Sequence, residues 1–312
     1  MKAKNLLYQG GALAAVLLLA GFLVSNTLDN LAARNIASGF GFLWRESGFE
    51  IGESPLAYSA ADTYWRALVV GLANTLRVSL LAIVLATLLG TLVGLCRLSA
   101  NLLLRGLGAV YVEVIRNTPL LVQLFFWYAL ISEALPAPRA ALEPLPGFFL
   151  SNRGFFFPLP GSVPTLQGFN FSGGAHLSPE FATLLVGLVL YTGAFIAEIV
   201  RAGIEGVPRG QSEAAAALGL RRWPALRHVI LPQARRIILP PLIGEYQALT
   251  KNSSLAVAIG FPDLMSVTNT TLNQTGQAIE AIALMMAIYL VLSLAIAGAL
   301  NWVNARTRLV ER

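Results

Sequence analysis

The residues that could do chemistry are few, and their spacing argues against catalysis. The single cysteine, Cys96, excludes an intrachain disulfide and a multi-cysteine metal site. It stands at a helix end in apolar company, as inert packing. His176 and His228 are isolated, with no other His or Cys at ligand spacing, so each reads as a loop residue and no catalytic or metal site is expected. ATP has no cradle either. A phosphate-binding loop needs GxxxxGK[ST], whose lysine neutralises phosphate charge. The three lysines are Lys2, Lys4 and Lys251, and none follows glycine or precedes Ser or Thr.

What remains is a set of polar groups in apolar surroundings, where each charge costs roughly 2.5–3.5 kcal/mol on insertion scales. Lys251 runs into Asn252, Ser253 and Ser254, a cluster of donors with no acid three or four positions away. Glu245, six residues earlier, points elsewhere on a helix. Such donors can receive a carboxylate, or they can bond one helix to another. Arg77 joins them as a candidate. Asn117-Thr118-Pro119 would break helical hydrogen bonding and free backbone carbonyls. Glu113 with Arg116, and Glu198 with Arg201, sit at i,i+3 and could pair on one helix face.

The elements that position these groups are membrane spans. The 312 residues are 56% hydrophobic and only 12% charged, with mean hydropathy +0.66, against about 25% charged for a soluble domain. A crossing helix needs roughly 20 mostly apolar residues. Residues 6–28, 78–96, 117–132, 181–197, 237–250 and 281–300 supply such runs. The third and fifth are short and reach full length only by including charged neighbours. A secretory signal could also begin with Lys2 and Lys4, but no small-x-small site follows, so the first span is read as uncleaved.

The net charge of +6 is topology rather than a nucleic-acid footprint. With the N-terminus inside, the cytoplasmic pieces hold 14 Lys and Arg, including Arg97, Arg105 and seven arginines between 201 and 236. The outer pieces hold Arg34, Arg45, Arg139 and Arg153, with Arg66 at a boundary. That bias follows the positive-inside rule and puts both termini in the cytoplasm. Two outer segments result. Residues 29–65 are interrupted by Gly39, Gly41, Gly48 and Gly52. Residues 132–179 carry eight prolines, which forbid a continuous helix. The second segment reads either as a cover for the bundle or as a docking surface for an extracytoplasmic partner.

Residues 205–236 form an elbow. Gly206, Pro208 and Gly210 end one helix, and 211–218 has strong helix propensity with four consecutive alanines. Gly219 fits a helix stop, and Trp223-Pro224 starts a second short helix running to Leu231-Pro232. The alanines leave one face thin enough to seat in a groove. Glu213 is expected in the first turn, where the helix dipole favours a carboxylate.

Glu213-Ala214-Ala215, three residues, Gly219, nine residues, Val229-Ile230-Leu231-Pro232 resembles the EAA loop of type I ABC importer permeases, with Val229 where Ile is usual. The resemblance extends from Gly71-Leu72-Ala73-Asn74-Thr75-Leu76 through Tyr111 to Gln123, Tyr191 to Gly203, Pro232-Gln233-Ala234-Arg235 and Leu249 to Leu255, over about residues 66–304. This is the polar-amino-acid uptake branch. The first span, the stretch from Asn35 to Leu43 and Ser151-Asn152-Arg153-Gly154 are similar to its general L-amino-acid and glutamate, glutamine, aspartate and asparagine subgroup. Members often carry a longer insertion after the third span.

The resemblance implies an all-α integral membrane protein with a MetI-like helix bundle, and the short proline-rich insertion leads us to expect six spans rather than eight. Its units are an N-terminal helix (1–28), an extracytoplasmic segment (29–65), the type I transmembrane domain (66–304, with insertion 132–179 and EAA loop 205–236) and a cytoplasmic tail (305–312). It implies a transporter subunit of the bacterial inner membrane rather than an enzyme. Glu213, Ala214, Ala215, Gly219, Leu231 and Pro232 would couple to cytoplasmic ABC ATPases, which bind ATP and Mg; this chain needs no cofactor. A second permease, by the subgroup a paralogue, and an extracytoplasmic solute-binding protein complete the assembly. The amino-acid substrate presents an α-carboxylate that Lys251, Ser253 and Arg77, with Asn117 and Thr118, would receive along the path. The alternative is an ion-gradient-driven secondary carrier, which would predict an inverted repeat; none is found.

Overall fold

The structure is a computed structural model that describes residues 2–33 and 38–306. Arg34, Asn35, Ile36 and Ala37, and the tail beyond 306 with Arg308 and Arg312, lie outside the described residues. The helices are α1 (Lys2–Ala33), α2 (Tyr64–Arg97), α3 (Leu102–Asn117), α4 (Leu120–Ala129), α5 (Pro179–Glu205), α6 (Arg209–Ala217), α7 (Arg222–Ala225), α8 (Leu231–Asn252), α9 (Leu264–Thr275) and α10 (Ala278–Arg306). Among the described residues, α1, α2, α5 and α10 are each long and apolar enough to cross a bilayer, and the pair α3–α4 makes a fifth crossing if counted as one span. Within α1, Tyr8–Thr27 leaves its apolar side chains exposed. Leu80, Leu88 and Leu92 do the same on one face of α2. Lipid satisfies such faces; water would not.

The centre of the bundle is the α2–α5 contact. Lipid removes the hydrophobic drive between helices, so close packing of small residues must replace it. A Cβ added at Gly90 would stand 2.6 Å from Ile196 Cβ and 2.7 Å from the Gly193 carbonyl oxygen. At Gly94 it would meet the Ala197 carbonyl oxygen at 2.8 Å. Around this seam Val78, Ala82, Leu124, Phe181, Leu188 and Leu249 form the main core. Caps fix where the helices begin. Thr63, Asn101, Ser178 and Asp263 each accept a backbone N–H in the first turn of α2, α3, α5 and α9.

Three elements differ from the sequence reading. The run 117–132 is only the second half of a broken element, because α3 precedes it and α4, prolonged by a π-turn to Ala134, follows a bend of 104°. Arg105, Glu113 and Arg116 interrupt the apolar run of α3 and hid it. The fifth run, 237–250, belongs to the 22-residue α8, which tolerates Pro240 and Pro241 in its interior. The helix α9 went unread although Asp263 caps its start and Gly276, at φ 71°, ends it.

The all-α expectation also needs correction. The segment 132–179 holds a four-stranded antiparallel sheet of order β1-β2-β3-β6, built from β1 (Leu142–Leu145), β2 (Phe148–Ser151), β3 (Gly154–Phe157) and β6 (Ala175–Leu177), and the hairpin β4 (Thr165–Gln167) with β5 (Asn170–Ser172). The prolines that forbid a helix sit where a sheet accepts them. Pro144 lies on the edge strand β1, and Pro146-Gly147, with Gly147 at φ 79°, turns β1 into β2. Asn152-Arg153 turns β2 into β3. Phe149 stacks on Phe171 at 4.4 Å and His176 on Phe156 at 4.4 Å, so His176 is a strand residue and not a loop residue. The segment 38–63 is irregular apart from one 3-10 turn, Phe40–Trp44, as its glycines suggest.

Candidate functional site

The elbow stands at the end of α5 opposite the β insert. Its first arm is α6, preceded by Pro208, whose fixed φ suits a helix start. Ala215 is the buried face of α6, while Glu213, Ala214, Ala216 and Ala217 are exposed. Glu213 is the fifth residue of α6, so it lies beyond the first turn and gains little from the helix dipole, contrary to expectation. The arm ends in a Schellman cap. Gly219 N–H donates to the Ala216 carbonyl at 2.9 Å and Leu220 N–H to that of Ala215 at 3.0 Å, with Gly219 at φ 73°. Among the described residues nothing lies within 4 Å of a Cβ built there, so the glycine is required by its backbone and not by crowding.

The second arm differs from the short helix expected. Helix α7 passes through a π-turn, Leu226–Ile230, directly into α8, and Leu231-Pro232 form its first turn rather than a terminus. Pro232 has no N–H to donate back into the π-turn, and the helix continues through it. Displacing the elbow therefore displaces a bundle helix without an intervening loop. Gln233 stitches the arms together: its Nε2 donates to Gln211 Oε1 at 3.1 Å and to the Val229 carbonyl at 3.0 Å. Leu218 (81% exposed) and Trp223 (66%) project beyond the joint. His228 holds the Pro224 carbonyl at 3.1 Å and is helical rather than in a loop. Behind the elbow an ion ladder links Arg97 of α2 to Glu198, Arg201 and Glu205 of α5. The anticipated Glu198–Arg201 pair is thus formed. Among the described residues Glu113 and Arg116 make no ion pair; the Arg116 guanidinium lies over the Phe195 ring at 4.8 Å.

The polar residues expected along a path are placed in different settings. Lys251, in the last turn of α8, is exposed and makes no ion pair among the described residues. Ser253 is fully buried and donates to the Thr250 carbonyl at 2.8 Å. Arg77 binds Glu53 at 2.9 Å and covers the Phe181 ring at 4.5 Å. Asn117 and Thr118 form the bend between α3 and α4. At the bend the Ile115 carbonyl accepts Thr118 N–H at 3.3 Å, and Gln123 Nε2 donates to that carbonyl and to the Thr118 carbonyl, both at 3.0 Å. Gln123, Gln233 and Glu53 are the residues that the sequence reading missed. Only tertiary proximity reveals Glu53, whereas Gln123 follows a proline break by four residues and could have been suspected of capping it.

The bundle presents apolar faces to lipid and carries a helical elbow continuous with the bundle helix α8. The family described as binding-protein-dependent transport system inner membrane component matches residues 65–309, and this chain belongs to that family. It is 41% identical to the general L-amino acid transport system permease protein AapQ of Rhizobium johnstonii, covering 100% of this chain and 94% of the relative. It is 36% identical to the glutamate/glutamine/aspartate/asparagine transport system permease protein BztB of Rhodobacter capsulatus, covering 95% and 92%. The first of these alignments runs over 378 residues against the 312 here, so that relative carries segments this chain lacks. Among solved structures, an amino acid ABC transporter crystallised with histidines matches at TM-score 0.58 and 30% identity, over 78% of this chain and 95% of that one. The fold is thus the MetI-like type I importer bundle, and the chain is a transporter subunit, not an enzyme. The ion-gradient carrier finds no support.

Proposed function

We propose that this chain is the permease subunit of an ABC importer that moves polar L-amino acids across a bacterial inner membrane. Separate ATPase subunits, which bind ATP and Mg, drive it through the elbow 213–232. The observation that carries this reading is the capped elbow itself, whose second arm is the start of α8. The names of the similar proteins support the substrate class. Six crossings, by α1, α2, the bent pair α3–α4, α5, α8 and α10, put the arginine-rich elbow and both termini inside and the β insert outside. The transmembrane unit is 66–304, flanked by the N-terminal span, the segment 29–65 and a short tail. A loaded binding protein docks outside, on 29–65 and the insert, and a paralogous permease completes the pore. Closure of the ATPases pushes α6, α8 moves with it, and the cavity alternates between the two sides.

Lys251, in the last turn of α8 and without an ion pair among the described residues, is the primary receptor for the substrate carboxylate, with Arg77, Ser253, Asn117 and Thr118 along the path. In proteoliposomes holding the two permeases, the ATPase and the binding protein, uptake is expected to require ATP and to survive collapse of ion gradients. Uptake without ATP would overturn the reading. In the same preparation Lys251→Met is expected to lower uptake roughly 10- to 100-fold, the scale of a charge-assisted hydrogen bond, with assembly intact. Unchanged uptake removes Lys251 from the path.

A further inference from the structure

Residues 38–63 close on themselves as a strap. Ser47 N–H donates to the Asp62 carbonyl at 2.8 Å, Gly48 N–H to that of Ala60 at 2.9 Å, and Tyr58 ties Ser47 and Phe49. Its base is anchored by burial: Phe42 and Leu43 pack with Tyr64 and Leu68 of α2 and with Leu264 and Val267 of α9. Phe49 and Ile51 carry that packing toward the tip, and the tip itself is tied by polar contacts that converge on one residue. The Glu53 carboxylate takes Arg77 of α2 on Oε1 at 2.9 Å and the Ser178 hydroxyl on Oε2. Its backbone carbonyl accepts Asn74 Nδ2 at 2.8 Å, and the same amide nitrogen donates to the Pro262 carbonyl ahead of α9 at 2.9 Å. Ser178 is also the N-cap of α5, the residue at which the β insert joins the bundle.

Under the tip lies a cavity of about 460 Å³, walled by Glu50 and Glu53 of the strap, Ser178 and Glu180 of the α5 start, and Pro262 and Ser266 of the α9 start. A pocket capped by an apolar plug would stay shut, since burial holds the plug in place. A wall segment held by one partly exposed ion pair and a few hydrogen bonds is cheaper to move than one held by burial alone. The strap therefore has a fixed base and a releasable tip.

We propose that Glu53 is the bolt of an outer latch: it holds the strap tip in place as one wall of this cavity in the resting permease, and its release accompanies arrival of the loaded binding protein. Displacement of the insert would pull on Ser178 and loosen one of the bolt's two carboxylate contacts directly. Glu53 is thus a positioning residue for transport, acting through Arg77, Ser178 and Asn74. This inference rests on the importer reading, which the unaltered complex tests separately by ATP-dependent uptake.

The test is ATP hydrolysis by the reconstituted complex with and without the loaded binding protein. Glu53→Ala is expected to raise the rate without binding protein at least threefold and to shrink the stimulation ratio correspondingly, with Glu53→Gln in between. An unchanged ratio, or a parallel fall of both rates, would reduce Glu53 to a structural contact and overturn the proposal. Independently, Glu53→Cys with Ser178→Cys in a Cys96→Ser background is expected to lose uptake when the two thiols are oxidised, and to regain it on reduction. Wild-type uptake by the oxidised form would show that the strap tip need not move.

Discussion

Gly219→Val is expected to cut ATP-dependent uptake at least roughly tenfold, while Gly219→Asn keeps most of it. The left-handed conformation at φ 73° costs an ordinary L-residue roughly 1–2 kcal/mol, and a β-branched side chain tolerates it least. Asparagine visits that region readily and ends helices in the same cap. Among the described residues nothing lies within 4 Å of the added Cβ, so a loss at valine points to the backbone conformation rather than to crowding. It would come from a changed angle between α6 and the α7–α8 arm. Uptake assays on membranes carrying equal amounts of each variant decide this; valine and asparagine behaving alike would separate the turn from coupling.

The second large effect falls on the bundle seam. Gly90→Leu is expected to deplete folded protein from the membrane, because its Cβ alone would press within 2.6 Å of Ile196 Cβ and 2.7 Å of a backbone carbonyl. Overpacking a fitted core costs typically 1–3 kcal/mol and more where backbone must shift. Gly106 and Gly298 have nothing within 4 Å, so Gly106→Leu and Gly298→Leu serve as controls that add the same side chain against lipid. The readout is the thermal midpoint and yield of solubilised protein. Equal stability of the three variants would mean that α2 and α5 are not seated on glycine.

The contrast between the seam and the insert shows what a single sequence discloses. Spans α1, α2, α5 and α10 each hold a long apolar window, so length and composition alone expose them. Helix α8 was read only in part because Arg235, Arg236 and Lys251 bound its apolar run, and α3 was missed because Arg105, Glu113 and Arg116 interrupt its own. The elbow's stop was legible because a glycine after an alanine run has one common meaning. Its second arm was not, since Leu231-Pro232 looks like an end and proves to be a first turn. In the insert, prolines were weighed as helix breakers, and the aromatic runs Phe148-Phe149 and Phe155-Phe156-Phe157, which pair across β2 and β3, were passed over. Glu53 had no sequence signal: its partners lie 24 and 125 positions away.

The most direct measurement asks what touches the elbow. Ala216 is exposed on α6, and Ala216→Cys in a Cys96→Ser background gives a permease with one thiol. In the assembled, transport-competent complex, a short thiol-to-amine cross-linker is predicted to yield a product of permease plus ATPase, diminished when nucleotide closes the motor. Full uptake with a cross-link only to lipid or to the second permease would contradict the claim that this joint receives the force.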